Sequence, residues 1–368
     1  MKSYSAVPAR ILVRVTLAAS VLALHASSQT SLDWMATHPD SSSDQGITAF
    51  AVGADGSQYL ATQIPGAQGV SNFDVRLVKI SGAGALEWTR EWDTYGFDDL
   101  ASALLVTPNG DVFVAGMDRR ETSTGAINFD ATLRKLSPAG TQTWFAASQG
   151  FGSTAVSFLA LARLSNGAVI GAGRKGTGGH LARVSDAGVL EWQRTLPGGL
   201  GGTVLTDVAV LPDDSIIACG RRGTQFNGAL AVWRFDAAGV EQWVTLLDEN
   251  VAQQSSGLAL DVTSAGRAVV GGWRRVGTDD DMALAQFDLA DGSLDWKLYL
   301  DLSNTGLDEI RAVSAAPDGS IWCAGRRHDP VSDMDTVVLR VDDGGSVLSL
   351  KTWAGGATIY DQPQSLEL

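Results

Sequence analysis

A glycine followed four residues later by a tryptophan recurs along this 368-residue chain, and nothing else in it constrains the fold so tightly. The pairs are Gly84/Trp88, Gly140/Trp144, Gly188/Trp192, Gly239/Trp243 and Gly292/Trp296, with Gly345/Ser349 an altered sixth copy. A unit of about fifty residues repeated six times is one supersecondary motif, too small to bury its apolar face alone and stabilised by stacking on its neighbours. A tryptophan at one fixed place per repeat is expected to fill the wedge between stacked units, since each ring can bury more than ~150 Å². Ser31-Leu32-Asp33-Trp34 carries the same tryptophan without the rest of a repeat, and Asp361 to Leu368 resembles the start of one.

The second repeat, from Ala101, is the easiest to read. Ala101 to Thr107 is apolar, Pro108-Asn109-Gly110 turns the chain, and Asp111 to Gly116 alternates polar and apolar residues. A third run, Asp130 to Leu136, leads through Ser137-Pro138-Ala139-Gly140 to a fourth carrying Trp144. Asn-Gly between two alternating runs predicts a hairpin with a type I′ turn. The turn recurs as Asp55-Gly56, Asn166-Gly167 and Asp318-Gly319, more weakly as Asp213-Asp214 and Ala265-Gly266, and nothing in the repeats has helical periodicity. Four short antiparallel strands, six times over, are the pattern of an all-β propeller. Repeats are expected at roughly 47–100, 101–156, 157–206, 207–257, 258–310 and 311–360 of one domain over 29–368. The spare strands at the ends fit closure of six or of seven blades.

Phe97-Asp98-Asp99, the run Pro108 to Gly116, and the run Asp130 to Gly140 resemble the bacterial SBBP-type β-propeller repeat over nearly the whole chain after residue 28. The resemblance implies a secreted or surface protein and carries no defined catalytic residues. The tryptophan of strand four departs from that pattern and is similar to quinoprotein-type repeats, Asp288 to Trp296 being the nearest match. In that family the motif docks blades, and no cysteine pair with calcium ligands accompanies it here, so no cofactor is expected. Ser185 to Trp192 is similar to the turn of sialidase-type propellers with one residue too many, and it too would be structural.

Lys2, Arg10 and Arg14 precede an apolar run, Val15 to Ala26, that is too short to span a bilayer, and Ala26-Ser27-Ser28 suits cleavage. Residues 1–28 therefore read as a signal peptide, with the protein extracellular or periplasmic and no membrane span after it. Its removal takes three basic and no acidic residues, moving the net charge from −14 to −17. A charge of that sign argues against nucleic acid and anionic membranes as partners, and favours a soluble monomer. Cys219 and Cys323 are expected to be free, buried thiols on opposite faces of their strands.

Against this acidic background five repeats carry a basic pair after strand two: Arg119-Arg120, Arg174-Lys175, Arg221-Arg222, Arg274-Arg275 and Arg326-Arg327. The first repeat has Thr62-Gln63 instead. A broken ring of guanidinium groups could hold a carboxylated or sulfated glycan. The structural alternative pairs these arginines with aspartates such as Asp98, Asp130, Asp281 and Asp335. The acidic groups Asp279-Asp280-Asp281 and Asp329/Asp333/Asp335 lack the spacing of a calcium loop, so no metal site is expected. His38, His180 and His328 lie in different repeats with no nucleophile or zinc motif. The favoured function is a binding or scaffold module for an extracellular glycan or protein. The alternative is a propeller hydrolase or lyase using carboxylates in the central funnel, and a third reading is a passive part of a longer surface protein.

Overall fold

The computed structural model describes residues 47–66, 69–121, 124–148, 155–223, 228–248, 254–303, 306–329, 333–353, 359–360 and 366. The expected signal peptide, Trp34 and almost all of the C-terminal remnant lie outside them. Blade 1 comprises β1 (Ile47–Val52), β2 (Gln58–Gly66), β3 (Gly69–Ile80) and β4 (Leu86–Trp92); blade 2 comprises β5 (Asp99–Val106), β6 (Val112–Glu121), β7 (Ile127–Leu136) and β8 (Gln142–Ser148). Blade 3 runs from β9 (Val156–Arg163) through β10 (Val169–Lys175) and β11 (Gly178–Val184) to β12 (Leu190–Leu196). Blade 4 holds β13 (Val204–Val210), β14 (Ile216–Gly223), β15 (Gly228–Phe235) and β16 (Glu241–Leu246). Blade 5 holds β17 (Ser255–Val262), β18 (Arg267–Val276), β19 (Asp279–Asp288) and β20 (Leu294–Leu300). Blade 6 holds β21 (Glu309–Ala315), β22 (Ile321–Asp329), β23 (Asp333–Val341) and β24 (Val347–Trp353), and β25 (Ile359–Tyr360) runs parallel to the start of β23.

Each blade is an antiparallel meander with its strands in sequence order. The first strand is innermost: β1 packs on β5, β5 on β9, β9 on β13, β13 on β17 and β17 on β21. Every first strand skips one residue in its pairing, at Thr48, Ser102, Leu159, Thr206, Leu258 and Arg311. Opposite five of these bulges stands a strand-two glycine: Gly116, Gly173, Gly220, Gly272 or Gly325. A Cβ there would fall between 1.7 and 2.2 Å from a first-strand carbonyl oxygen. The glycine that ends each alternating run thus makes room for a bulge.

The turns are built differently from the expected type I′. Thr107 and Gly110 close a turn in which Gly110 N–H donates to the Thr107 carbonyl and Thr107 N–H to that of Asp111. Gly110 has φ +85° whereas Asn109 is not among the positive-φ residues, so the turn is a three-residue loop with its glycine in the left-handed position. Asp214, with φ 61°, takes that position in blade 4.

Five apolar clusters fill the seams between successive blades. The tryptophans close these seams from outside as expected. An added Cβ at Gly140, Gly188, Gly239, Gly292 or Gly345 would lie 2.7–3.0 Å from the ring of Trp88, Trp144, Trp192, Trp243 or Trp296 respectively. Each ring therefore lies on the turn of the following blade, not its own. Three of them also donate Nε1–H to that turn: Trp88 to Pro138 at 3.0 Å, Trp144 to Asp186 at 2.9 Å and Trp296 to Asp343 at 2.8 Å. Both cysteines are free and buried. Cys219 of β14 faces the seam between blades 4 and 5, and Cys323 of β22 the seam between blades 5 and 6. Burial pushes both thiols up. No helix among the described residues is long and apolar enough to cross a membrane.

Trp144→Ala is expected to cost about 3 kcal/mol, the scale of a large aromatic removed from a packed site. Gly188→Val should cost at least as much, because its φ of +83° and the Trp144 ring both exclude a branched side chain. Urea unfolding of the two variants and the wild type checks both.

Candidate functional site

In a four-stranded meander the connections from strand two to three and from strand four to the next blade share one end, here the loop end. The basic pairs lie near it, but within strand two instead of after it, so the expectation is corrected. Nor are they equivalent. Counted from the strand-two glycine, the pair follows at once in blades 3, 4 and 6, after one residue in blade 5 and after two in blade 2.

The ion pairs sort them further. Arg119 meets Asp98 at 3.0 Å, Arg120 meets Asp130 at 2.6 Å, Arg274 meets Asp281 at 2.7 Å and Arg327 meets Asp335 at 3.1 Å. These are the four aspartates that the sequence offers as structural partners. Arg275 adds Asp280 at 2.7 Å and Arg326 adds Glu309 at 2.8 Å.

A rule underlies these contacts. Thr62, Gly116, Gly173, Gly220, Gly272 and Gly325 face Arg76, Thr132, His180, Ala231, Ala283 and Val337 of strand three. Two residues before each of these lies one position: Asp74, Asp130, Gly178, Ala229, Asp281 and Asp335. Blades 2, 5 and 6 thus have an aspartate there, clamped by an arginine of strand two. Blades 3 and 4 keep the basic residues and replace the aspartate by Gly178 and Ala229. Among the described residues Arg174, Arg221 and Arg222 have no acidic partner, and Arg221 Nε is buried without a hydrogen bond. Arg174 and Arg221 occupy one register on neighbouring blades.

His180, at the heart of blade 3, is fully buried and stacks on Phe158 with ring centroids 5.6 Å apart. Burial, with the Lys175 charge adding, pushes its pKa down to about 4. Blade 3 therefore carries a neutral imidazole beneath its basic pair.

Sequence reading missed the acidic groups of the inner strands. Asp207 accepts N–H bonds from Val208 and, across the seam, from Leu260, each at 2.8 Å. Asp261 accepts from Val262 at 2.7 Å and from Ala315 of the next blade at 2.8 Å. Burial raises Asp207 to about 7, the nearby Asp261 adding to it against those two hydrogen bonds. Between blades 1 and 2, Asp99 and Asp118 share the Thr94 hydroxyl, and Arg134 meets Asp118 at 2.6 Å. Burial, then Asp118, raises Asp99 to about 7. Asp279, Asp281 and Asp301 bring carboxylate oxygens within 4.8 Å of one another, but Asp281 is held by Arg274.

Six meander blades among the described residues, with tryptophan-on-glycine seams between them, define the chain as a β-propeller. Solved structures agree on that class. A protein from Lactobacillus plantarum matches with TM-score 0.56 at 12% identity, over 88% of this chain and 87% of its own. An ulvan lyase of polysaccharide lyase family PL25 matches at 0.55 and 10%, over 84% and 86%. Sqt1 from Chaetomium thermophilum matches at 0.50 and 13%, over 87% and 74%. At these identities the likeness is of fold. No family model matches the chain, and no curated protein matches it.

His180 makes a signed prediction. The folded protein keeps it neutral down to about pH 4, while the unfolded chain takes up a proton near its ordinary 6.5. Stability is therefore lost as pH falls from 6.5 towards 4, by an amount on the order of 3 kcal/mol. Asp99 and Asp207 work in the opposite sense, since their raised values cost stability as pH rises towards 7. Relative to wild type, His180→Phe should therefore gain stability steadily from pH 6.5 to 4 in urea titrations, isolating the histidine from the carboxyls.

Proposed function

We propose that the protein is a secreted, SBBP-like binding module without catalytic activity, whose loop end at blades 3 and 4 takes a carboxylated or sulfated glycan. The observation that carries this reading is the half-empty clamp. Arg222 stands in the register of Arg274 and Arg327 but faces Ala229 instead of an aspartate, and Arg174 and Arg221 stand in the register of Arg326 but face Ser157 and Val204 instead of Glu309. Guanidinium groups offer paired N–H donors to carboxylate and sulfate, and an unneutralised group on an acidic protein focuses a local positive field. A propeller can carry such a ligand, as the ulvan lyase bound to -[GlcA(1-4)Rha3S]- does. The hydrolase or lyase alternative asks for free carboxylates near the axis. Of the inner-strand carboxylates, Asp99 accepts from Thr94, Glu309 is held by Arg311 and Arg326, and Asp207 and Asp261 use their oxygens to bind backbone N–H groups of two blades. The last two brace seams.

Chondroitin sulfate, which bears both carboxylate and sulfate, is a suitable probe. The wild type should bind it at ~50 mM salt and lose it as screening rises towards ~300 mM. Arg221→Ala with Arg222→Ala should weaken binding about tenfold, one lost charge-assisted contact being worth about 1.4 kcal/mol, with the melting temperature unchanged. Arg120→Ala should do the reverse, lowering the melting temperature by removing the ion pair with buried Asp130 while leaving binding intact. Unaltered binding by the double variant would sink the proposal. Export with cleavage after Ser28 belongs to the same reading, and N-terminal sequencing of the exported protein should begin at Gln29.

A further inference from the structure

Blade 1 is the converse of blades 3 and 4: it keeps the acid and lacks the base. Its tripeptide Asn72-Phe73-Asp74 is repeated letter for letter in blade 2 as Asn128-Phe129-Asp130. In blade 2, Arg120 of strand two holds Asp130 at 2.6 Å. Arg120 follows Gly116 by four residues, and the residue four after Thr62, the blade 1 counterpart of Gly116, is Gly66.

The missing side chain leaves a mark. A Cβ at Gly66 would lie 2.7 Å from Asn72 Nδ2 and 2.8 Å from Asp74 Oδ1, so both side chains lean into the room where the arginine of blade 2 begins. Asn72 and Asp74 are only 8% and 9% exposed. Both polar atoms of the Asn72 amide and Oδ1 of Asp74 are buried without a hydrogen-bond partner. No basic side chain among the described residues pairs with Asp74, since Arg76 on the same strand reaches Glu91 at 2.8 Å. Burial holds the Asp74 carboxyl above its ordinary range, and the nearby Asp93 and Glu91 add to this. Buried carboxylates are found paired or bound to a metal, and orphaned buried amides call for a partner.

We propose that Asp74 and Asn72 form a site for a hard divalent cation of the calcium class. Asp74 Oδ1 and the Asn72 amide oxygen are the protein donors, and the cation replaces the charge that Arg120 supplies in blade 2. The donors are oxygens, which select hard ions over the soft or borderline metals bound by sulfur and nitrogen. The Asn72 oxygen and nitrogen exchange places by a flip of the amide, so either can face the ion. A single ion suits atoms withdrawn from the surface, where a planar guanidinium from another molecule would have to thread between strands two and three. This site is separate from the basic residues of blades 3 and 4, and does not depend on their reading.

The test uses the full-length protein stripped with EGTA, its melting followed by tryptophan fluorescence at fixed ionic strength while calcium chloride is titrated. The wild type should melt several degrees higher with calcium, half of the effect falling at roughly 0.1–1 mM, the range of extracellular calcium modules. Asp74→Asn should melt above the stripped wild type and no longer respond to calcium, because an amide replaces the uncompensated charge. Gly66→Arg should behave likewise by restoring the clamp of blade 2. Asp279→Asn should keep the wild-type response. An equal calcium shift in wild type and Asp74→Asn would overturn the site, as would no shift in wild type at ~10 mM calcium, well above that range. So would a response lost in Asp279→Asn but kept in Asp74→Asn, which would place the ion on the acidic group of blade 5.

Discussion

The seating of a tryptophan of one blade on a glycine of the next holds this propeller in register. The indole needs a turn with no side chain beneath it, and the turn needs a residue at positive φ, so one glycine satisfies both demands. Because ring and glycine belong to different blades, the contact is a joint and not a local ornament. It also explains what is free to vary. The interval from glycine to tryptophan within a blade is always four, whereas successive tryptophans from Trp88 to Trp296 lie 48 to 56 residues apart. Most of the variation falls on the loop end, which the joint does not touch; blade 5 adds one residue in its joint turn, Asp288 to Ser293.

With construction fixed by the seams, individuality resides in charges at the strand-two to strand-three step. Where arginine and aspartate are both present, as Arg120 with Asp130 or Arg274 with Asp281, the step is neutral and tied. Blades 3 and 4 leave Arg174, Arg221 and Arg222 without an acidic partner among the described residues, and blade 1 leaves the anion buried. The strand-two to strand-three step thus takes three electrostatic states across the six blades. A uniform ring of basic pairs would have been a surface property of the whole molecule; the structure replaces it with a local, polarised arrangement.

The fold was legible because its markers are steric. Glycines at positive φ and a recurrent indole declare themselves at fixed intervals, and the strands between them alternate. The site was legible in residue type but not in register. Arg119-Arg120 and Arg221-Arg222 look alike in sequence, yet they sit at different distances from Gly116 and Gly220, so their side chains meet different neighbours. Only the strand pairing shows that Gly178 and Ala229 stand in place of Asp130. The braces of Asp207 and Asp261 were illegible for another reason: their donors, Leu260 and Ala315, lie more than fifty residues away with no motif to announce them. The turn type misled because Asn-Gly suits two hairpin geometries, and here the glycine alone takes positive φ.

The two cysteines face opposite sides of blade 5, one from each neighbour. Neither thiol can meet an alkylating reagent while its seam is shut, and neither is near enough to the chemistry of the loop end to report on it. They form a pair of built-in gauges, each reading the opening of one interface. Breathing of blade 5 against blade 4 and against blade 6 can therefore be timed separately in the same unmodified molecule.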